Sequence, residues 1–349
     1  MPNDFLIGCN GRGAQASSMD HPISLEEASI DEQFRLVKET GVFDYFDRIP
    51  LRDSFDEYRN AIDKYDLPIC TVSWFYRLGQ DEALLQDNLR IAKEIGADMH
   101  NIMIFTEHAD GHVVTNQEII DCYLKAYDSG MRLGVEPTFE LHVNMWSEDF
   151  RRVTPVALAV QDKGIQFNYT LDYSHVNFKI DNPEEQDISG IREDVEAGRL
   201  LLDPFEPGNL CDEWLALGIV RWLQVRSAAP NGPKNIWSVQ EPGVPVAGMP
   251  TLPEGADPVT GRGIMYPFTK PAPGEWHSPW HAYKVEPTKE VVRKALRYHK
   301  ADPEKRLKYI TTEMINLPDY GHNAKYSLIG QNAAAARFVR DTWANMTAG

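Results

Sequence analysis

The sequence predicts an α/β protein, a (β/α)8 TIM barrel with long insertions after strands 6 and 7. Two observations carry this prediction. Strand-like apolar runs alternate with amphipathic helical segments eight times over 349 residues, more pairs than an open doubly wound sheet of this length needs. Four of the later strand-like runs also end in an acid or an amide, as strands do when they converge on a polar site at one end of a barrel.

The elements follow in order. Phe5–Asn10 reads as the first strand, and Glu26–Thr40 as an amphipathic helix stopped by Gly41. Val42–Phe46 and Ser54–Tyr65 make the second pair. Leu67–Trp74 and Glu82–Ile95 make the third, closed by Gly96, and Asn101–Phe105 and Gln117–Leu133 the fourth, closed by Gly134. A glycine just past a helix is a C-cap signal, because it accepts the left-handed conformation that ends the helix. The fifth strand runs to His142 and its helix from Ser147 to Gln161. Strands ending near Asp172, Arg226 and Glu313 follow, with helices near Asp212–Leu217, Thr288–His299 and Gln331–Met346.

Two stretches break the spacing. Residues 177–211 carry acidic clusters such as Glu184-Glu185. Residues 229–286 hold close to half of the prolines, with Trp237, Trp276, Trp280, Tyr266 and His277 among them. That aromatic content points to an ordered Pro/Trp-rich insertion of a single barrel domain, lying over the active face or at a subunit contact. Gly8-Cys-Asn-Gly11-Arg-Gly13 lacks the GxGxxG spacing of a dinucleotide site and reads as a tight loop.

Composition removes several function classes. A net charge of −17 opposes nucleic-acid binding and an anionic membrane partner, both of which need a basic surface. No run approaches a membrane span, and the start Met1-Pro-Asn-Asp lacks the features of a signal peptide. Cys9, Cys70, Cys122 and Cys211 are far apart with no CxxC, so reduced thiols and a cytoplasmic location are expected.

The chemistry concentrates in the later strand ends. Alternate residues of a strand share a face, which groups Glu136, Thr138, Glu140 and His142, then Asn168, Thr170 and Asp172, then Gln224 and Arg226, then Thr311 and Glu313. Facing the helix layer, such groups would be buried without partners at about 1–3 kcal/mol each, so they are expected inside the barrel. Three carboxylates gathered there repel one another and call for a cation. Oxygen donors from Glu140, Asp172, Gln224 and Glu313 suit Mn²⁺ or Mg²⁺ better than zinc. For each acid alone, an ordinary salt bridge or helix cap is the competing explanation. His142, two residues past Glu140, is the candidate general base, with support of Glu140 or a fifth ligand position as alternatives. Arg226 either binds a substrate oxygen or balances the acids, and His108 is a weaker substrate-binding candidate.

Phe139-Glu140-Leu-His142, Leu171-Asp172-Tyr-Ser-His175 and Thr312-Glu313-Met resemble the metal-binding strand ends of the xylose-isomerase-like TIM-barrel superfamily of sugar isomerases, ketose 3-epimerases and endonuclease IV. The resemblance implies metal ligation by Glu140, Asp172 and Glu313 and a substrate contact for His175. Two positions depart from it. Gln224 stands where a histidine ligand is usual, and Met145-Trp146 occupies the stretch in which the epimerases carry a second glutamate. With these departures and the insertion before the last strand, the chain looks most like the α subunit of C-glycoside deglycosidases. That implies a manganese-dependent lyase acting on a 3-oxo-glycoside by β-elimination, in hetero-oligomeric assembly with a small β-sandwich β subunit. A sugar isomerase or epimerase of the same barrel is the alternative, and a non-catalytic sugar-binding subunit the second.

Overall fold

The computed structural model describes residues 5–15, 27–232, 241–244, 253–255, 265–273, 275, 279–315 and 326–348. Eight parallel strands close into a barrel in sequence order: β1 (Leu6–Asn10), β2 (Tyr45–Asp47), β3 (Ile69–Tyr76), β4 (Met99–Ile104), β5 (Glu136–Glu140), β6 (Tyr169–Asp172), β7 (Val220–Val225) and β8 (Tyr309–Thr312). β8 pairs with β1 through Ile7↔Ile310 and Cys9↔Thr312, which closes the ring.

The outer layer is α1 (Ile30–Glu39), α2 (Phe55–Tyr65), α3 (Glu82–Ile95), α4 (Asn116–Leu133) and α5 (Val153–Gln161) in the first part of the chain. After β6 come four short helices, α6 (Ser174–Asn177), α7 (Pro183–Ile188), α8 (Arg192–Glu196) and α9 (Leu210–Ala216). α10 (Glu286–Ala301) precedes β8 and α11 (Leu328–Thr347) ends the order. The acidic stretch 177–211 therefore contributes α7 and α8 in front of α9. Of the Pro/Trp-rich insertion, Trp237, Trp276 and His277 lie outside the described residues. Its described part includes Tyr266, which is buried and donates its N–H to the Ser227 carbonyl at 2.8 Å.

Local signals set the helix ends. Gly96 and Gly134 cap α3 and α4 in the left-handed conformation, as their positions predict, whereas α2 ends on Asp66 at φ 47°. α4 opens on a capping box in which Thr115 and Glu118 satisfy each other's backbone N–H groups. The expected helix at Ser147–Gln161 begins six residues later, at Val153. Two short 3-10 turns, Trp146–Glu148 and Phe150–Arg152, take up the intervening chain.

The barrel interior is a packed core with a polar top. Tyr45, Met99, Trp222 and Tyr309 form its lower apolar plug. Gly8 makes room for it, because a Cβ at that position would lie 2.2 Å from the Tyr45 ring. Above the plug, Thr311 Oγ1 meets Tyr45 Oη at 2.6 Å and accepts from Trp222 Nε1 at 2.9 Å, and Thr138 and Thr170 bond each other at 2.9 Å. Glu136 is drawn to the other end. It pairs with Arg221 at 2.8 and 2.9 Å, and so stands apart from the acids at the strand ends. Among the described residues no helix is long and apolar enough to cross a membrane, and all four cysteines are free.

Candidate metal centre and active site

Where β5, β6 and β8 end, Glu140, Asp172 and Glu313 bring one oxygen each to within 4.8 Å of one another. Gln224 enters from β7 directly beside Asp172 in the strand register. Glu140, Asp172 and Gln224 are all buried. Burial pushes the Glu140 carboxyl well above its ordinary value, and the charges of Glu313 and Asp172 push it further. Glu313 is raised to about 8, mainly by burial. Burial works the same way on Asp172, but the Arg226 and His175 charges outweigh it and hold that carboxyl below the usual range. Protonation splits across the cluster because closely packed like charges cannot all ionise.

Arg226 is the local counter-charge. Its Nη2 donates to Asp172 Oδ2 at 2.7 Å and its Nε to Ser174 Oγ at 2.9 Å. It also donates to Nε2 of His175, which the first turn of α6 places 3.2 Å from Asp172 Oδ2. Burial, then the Arg226 charge, lowers His175 to about 4, so its ring is neutral at pH 7.

His142 lies just past β5, its ring centroid 4.3 Å from that of His175 and 5.5 Å from that of Phe75. Its Nδ1 is 2.6 Å from the Val143 carbonyl oxygen. A carbonyl only accepts, so Nδ1 carries the proton and Nε2 presents a lone pair. Burial, then the charges of His175 and Arg226, pushes the imidazole well below its ordinary pKa. The ring is thus a neutral proton acceptor.

Both histidines, Arg226, Gln224, Glu140 and Glu313 line one cavity of about 840 Å³. Its wall continues through Ile49, Tyr58, Trp74, Phe75 and Met265, so a polar floor meets a largely apolar side. This volume lies near the upper end of ordinary ligand pockets, roughly 300–1,000 Å³.

Not every expected residue comes to this place. His108 is in the β4–α4 loop, stacked on His112 at 4.5 Å and 3.0 Å from Asp110, and does not line the cavity. The chain leaves β4 outward there, which separates His108 from the strand ends. Conversely, the reading from the sequence passed over Asn10, Asp47 and Asn101. Asn101 Nδ2 donates to Glu140, and Asn10 Nδ2 bridges Asp47 Oδ2 at 3.2 Å and Glu313 Oε1 at 3.0 Å. Asp47 also accepts from Thr71 Oγ1 at 2.7 Å, and burial raises it to about 7. Asn10 closes β1 and Asp47 closes β2, the same place in the fold that the later strands give to their acids.

No protein-family model matches the sequence, and no curated protein matches it. Solved structures do match, over the whole chain. A xylose isomerase-like TIM barrel protein from Mycobacterium smegmatis, in complex with magnesium, is 13% identical with a TM-score of 0.51, over 97% of this chain and 98% of that one. This chain has the xylose isomerase-like barrel fold. An L-ribulose 3-epimerase shares it at 10% identity and TM-score 0.53, over 98% of this chain and 95% of that one. So does a probable 3-DHS dehydratase, AsbF from Bacillus anthracis, at 12% identity and TM-score 0.51, over 98% and 99%.

The donor set of this xylose isomerase-like barrel fits a divalent cation. Gln224 Oε1 is buried with no hydrogen-bond partner among the described residues, in the wall that carries Glu140 and Glu313 and beside Asp172 in the strand register. Without a cation, that carbonyl oxygen and the acids would face one another at a desolvation cost of about 1–3 kcal/mol for the orphan group alone. A divalent cation held by the carboxylates would relieve their mutual repulsion.

Proposed function

We propose that this chain is a divalent-metal-dependent lyase that cleaves a 3-oxo-glycoside, C-glycosides included, by β-elimination, with His142 as the base. The observation that carries the reading is the neutral His142 imidazole, its Nε2 without a hydrogen-bond partner among the described residues and the ring within 4.8 Å of a ligand atom of Glu140 and one of His175. Glu140, Asp172, Gln224 and Glu313 are the residues that would hold the cation. When bound, it supplies Lewis acidity toward the substrate's oxygens.

His142 Nε2 takes the proton from sugar C2, which the 3-oxo group acidifies. The C2–H electron pair becomes the C1=C2 double bond, the bond from C1 to the aglycone breaks, and the aglycone leaves with that bond's electrons and takes up a proton. Arg226 and His175 orient the substrate's oxygens over the cluster. The apolar wall at Tyr58, Trp74 and Phe75 receives the aglycone and excludes water there.

Elimination is preferred over epimerisation for a local reason. Two-glutamate proton exchange needs a second acid just beyond β5, and Met145 and Trp146 are buried in the packing there. The next glutamate, Glu148, is engaged by Lys179 Nζ at 2.9 Å. The test is incubation of the purified chain with Mn²⁺ and a 3-oxo-C-glycoside, after checking for a co-purifying small β-sandwich partner. Release of free aglycone supports elimination. An epimeric ketose carrying solvent deuterium, with no aglycone, would overturn it in favour of the isomerase reading.

A further inference from the structure

The cavity has a second charged end. Arg12 and Arg48 leave the tops of β1 and β2, two residues after Asn10 and one after Asp47, and both line the wall. The Arg12 N–H donates to Asn10 Oδ1 at 3.0 Å, which ties this loop to the residue that also holds Glu313. Both guanidiniums approach a single oxygen. Glu27 Oε1 lies 3.1 Å from Arg48 Nη2 and 3.5 Å from Arg12 Nη1.

Among the described residues the two guanidiniums share this one carboxylate as their ion-pair partner. Arg12 Nη1 is buried and has no hydrogen-bond partner among the described residues. Burial opposes the Arg12 charge most, and the neighbouring Arg48 opposes it further. An arginine stays protonated in a protein, so the relief for such a pair is an anion between them. The other acids of this wall make no ion pair with either guanidinium among the described residues. Asp47 is engaged by Thr71 and Asn10, and Glu57 is exposed, where solvent and salt screen it. Buried Tyr58, beside Arg48, adds a hydroxyl to the same wall.

We propose that Arg12 and Arg48 form an anion subsite of this cavity, which binds an oxyanion group, a carboxylate or a phosphate, carried by the substrate. The assignment deepens the glycoside reading and rests on it only for what carries the anion, the sugar or the aglycone. Calorimetric titration of the Mn²⁺-loaded full chain with D-glucose, D-glucuronate, D-glucose 6-phosphate and benzoate tests it. A charged sugar is expected to bind about tenfold or more tighter than glucose, the equivalent of one charge-assisted hydrogen bond. Raising ionic strength should weaken that preference, and the double variant R12Q/R48Q should abolish it while glucose affinity holds. Glu27→Gln should move the other way and tighten anion binding, a gain that a misfolded variant would not show. Equal affinity for charged and neutral sugars, a preference that survives R12Q/R48Q, or no binding of any anion overturns the subsite. Arginine-dependent binding of benzoate with no sugar bound would keep the subsite and remove the glycoside reading instead.

Discussion

The two sides of the cavity are built from the same fold position and gather different charged groups. The tops of β5 to β8 present Glu140, Asp172, Gln224 and Glu313, with Arg226 beside them as the one guanidinium on that side among the described residues. The tops of β1 and β2 present Asn10 and Asp47, followed by Arg12 and Arg48 with Glu27 between them. The first side carries three acids to one guanidinium and an amide oxygen with no hydrogen-bond partner among the described residues, and on the proposed reading a cation would complete it. The second carries two guanidiniums that share one ion-pair partner and a buried guanidinium nitrogen with no hydrogen-bond partner among the described residues, and on the proposed reading an anion would complete it. A barrel allows this because each strand end contributes one residue independently of its neighbours, so charge can be distributed around the rim strand by strand.

The sharpest way to break the contrast is through the base. His142→Ala should lower turnover by about 10²–10⁴-fold while bound manganese, measured by metal analysis, stays at the parent level. Loss of metal would make His142 a ligand, and a retained rate would remove it as the base. Next in size, Asp172→Ala should lower bound metal and strand the buried Arg226, at a stability cost of about 3–5 kcal/mol read from urea unfolding. A variant as stable as the parent would show that Ser174 and His175 hold Arg226 without the carboxylate.

On the other side, Gly8→Ala drives a methyl group into the Tyr45 ring beneath Asn10, and should cost about 1–3 kcal/mol by thermal melting. An unchanged melt would mean that the plug below the site yields easily. The smallest effect expected is a pH dependence. Folded Asp47 keeps its proton up to about 7, against an ordinary 3.8, so the folded chain binds more protons than the unfolded one within that window. Metal-free protein should therefore lose stability as pH rises through that window, and Asp47→Asn should flatten that part of the profile. A parallel profile in the variant would assign the slope to Glu140 and Glu313.

Much of this was legible in the sequence, and for identifiable reasons. Helix α3 matched its expected span because an amphipathic pattern ended on a glycine. Glu140, Asp172, Gln224 and Glu313 stood out because each closes an apolar run. Asp47 did not, because the expected second strand stopped one residue short of it, and three residues are too few to show a period. His108 appeared plausible because the fourth strand ends just before it. Nothing local could show that the loop stacks it on His112, away from the cavity.

By itself, then, the sequence determined the alternation of strands and helices and the residue types at the strand ends, since periodicity and capping are local properties. Only the tertiary structure decided which of those ends meet. Arg226 balances Asp172 more than 50 positions away, Asn10 joins Asp47 to Glu313 across the β8–β1 closure, and Arg12 and Arg48 come to share Glu27. These pairings depend on barrel closure and strand register, which bring into contact charges that no local pattern relates.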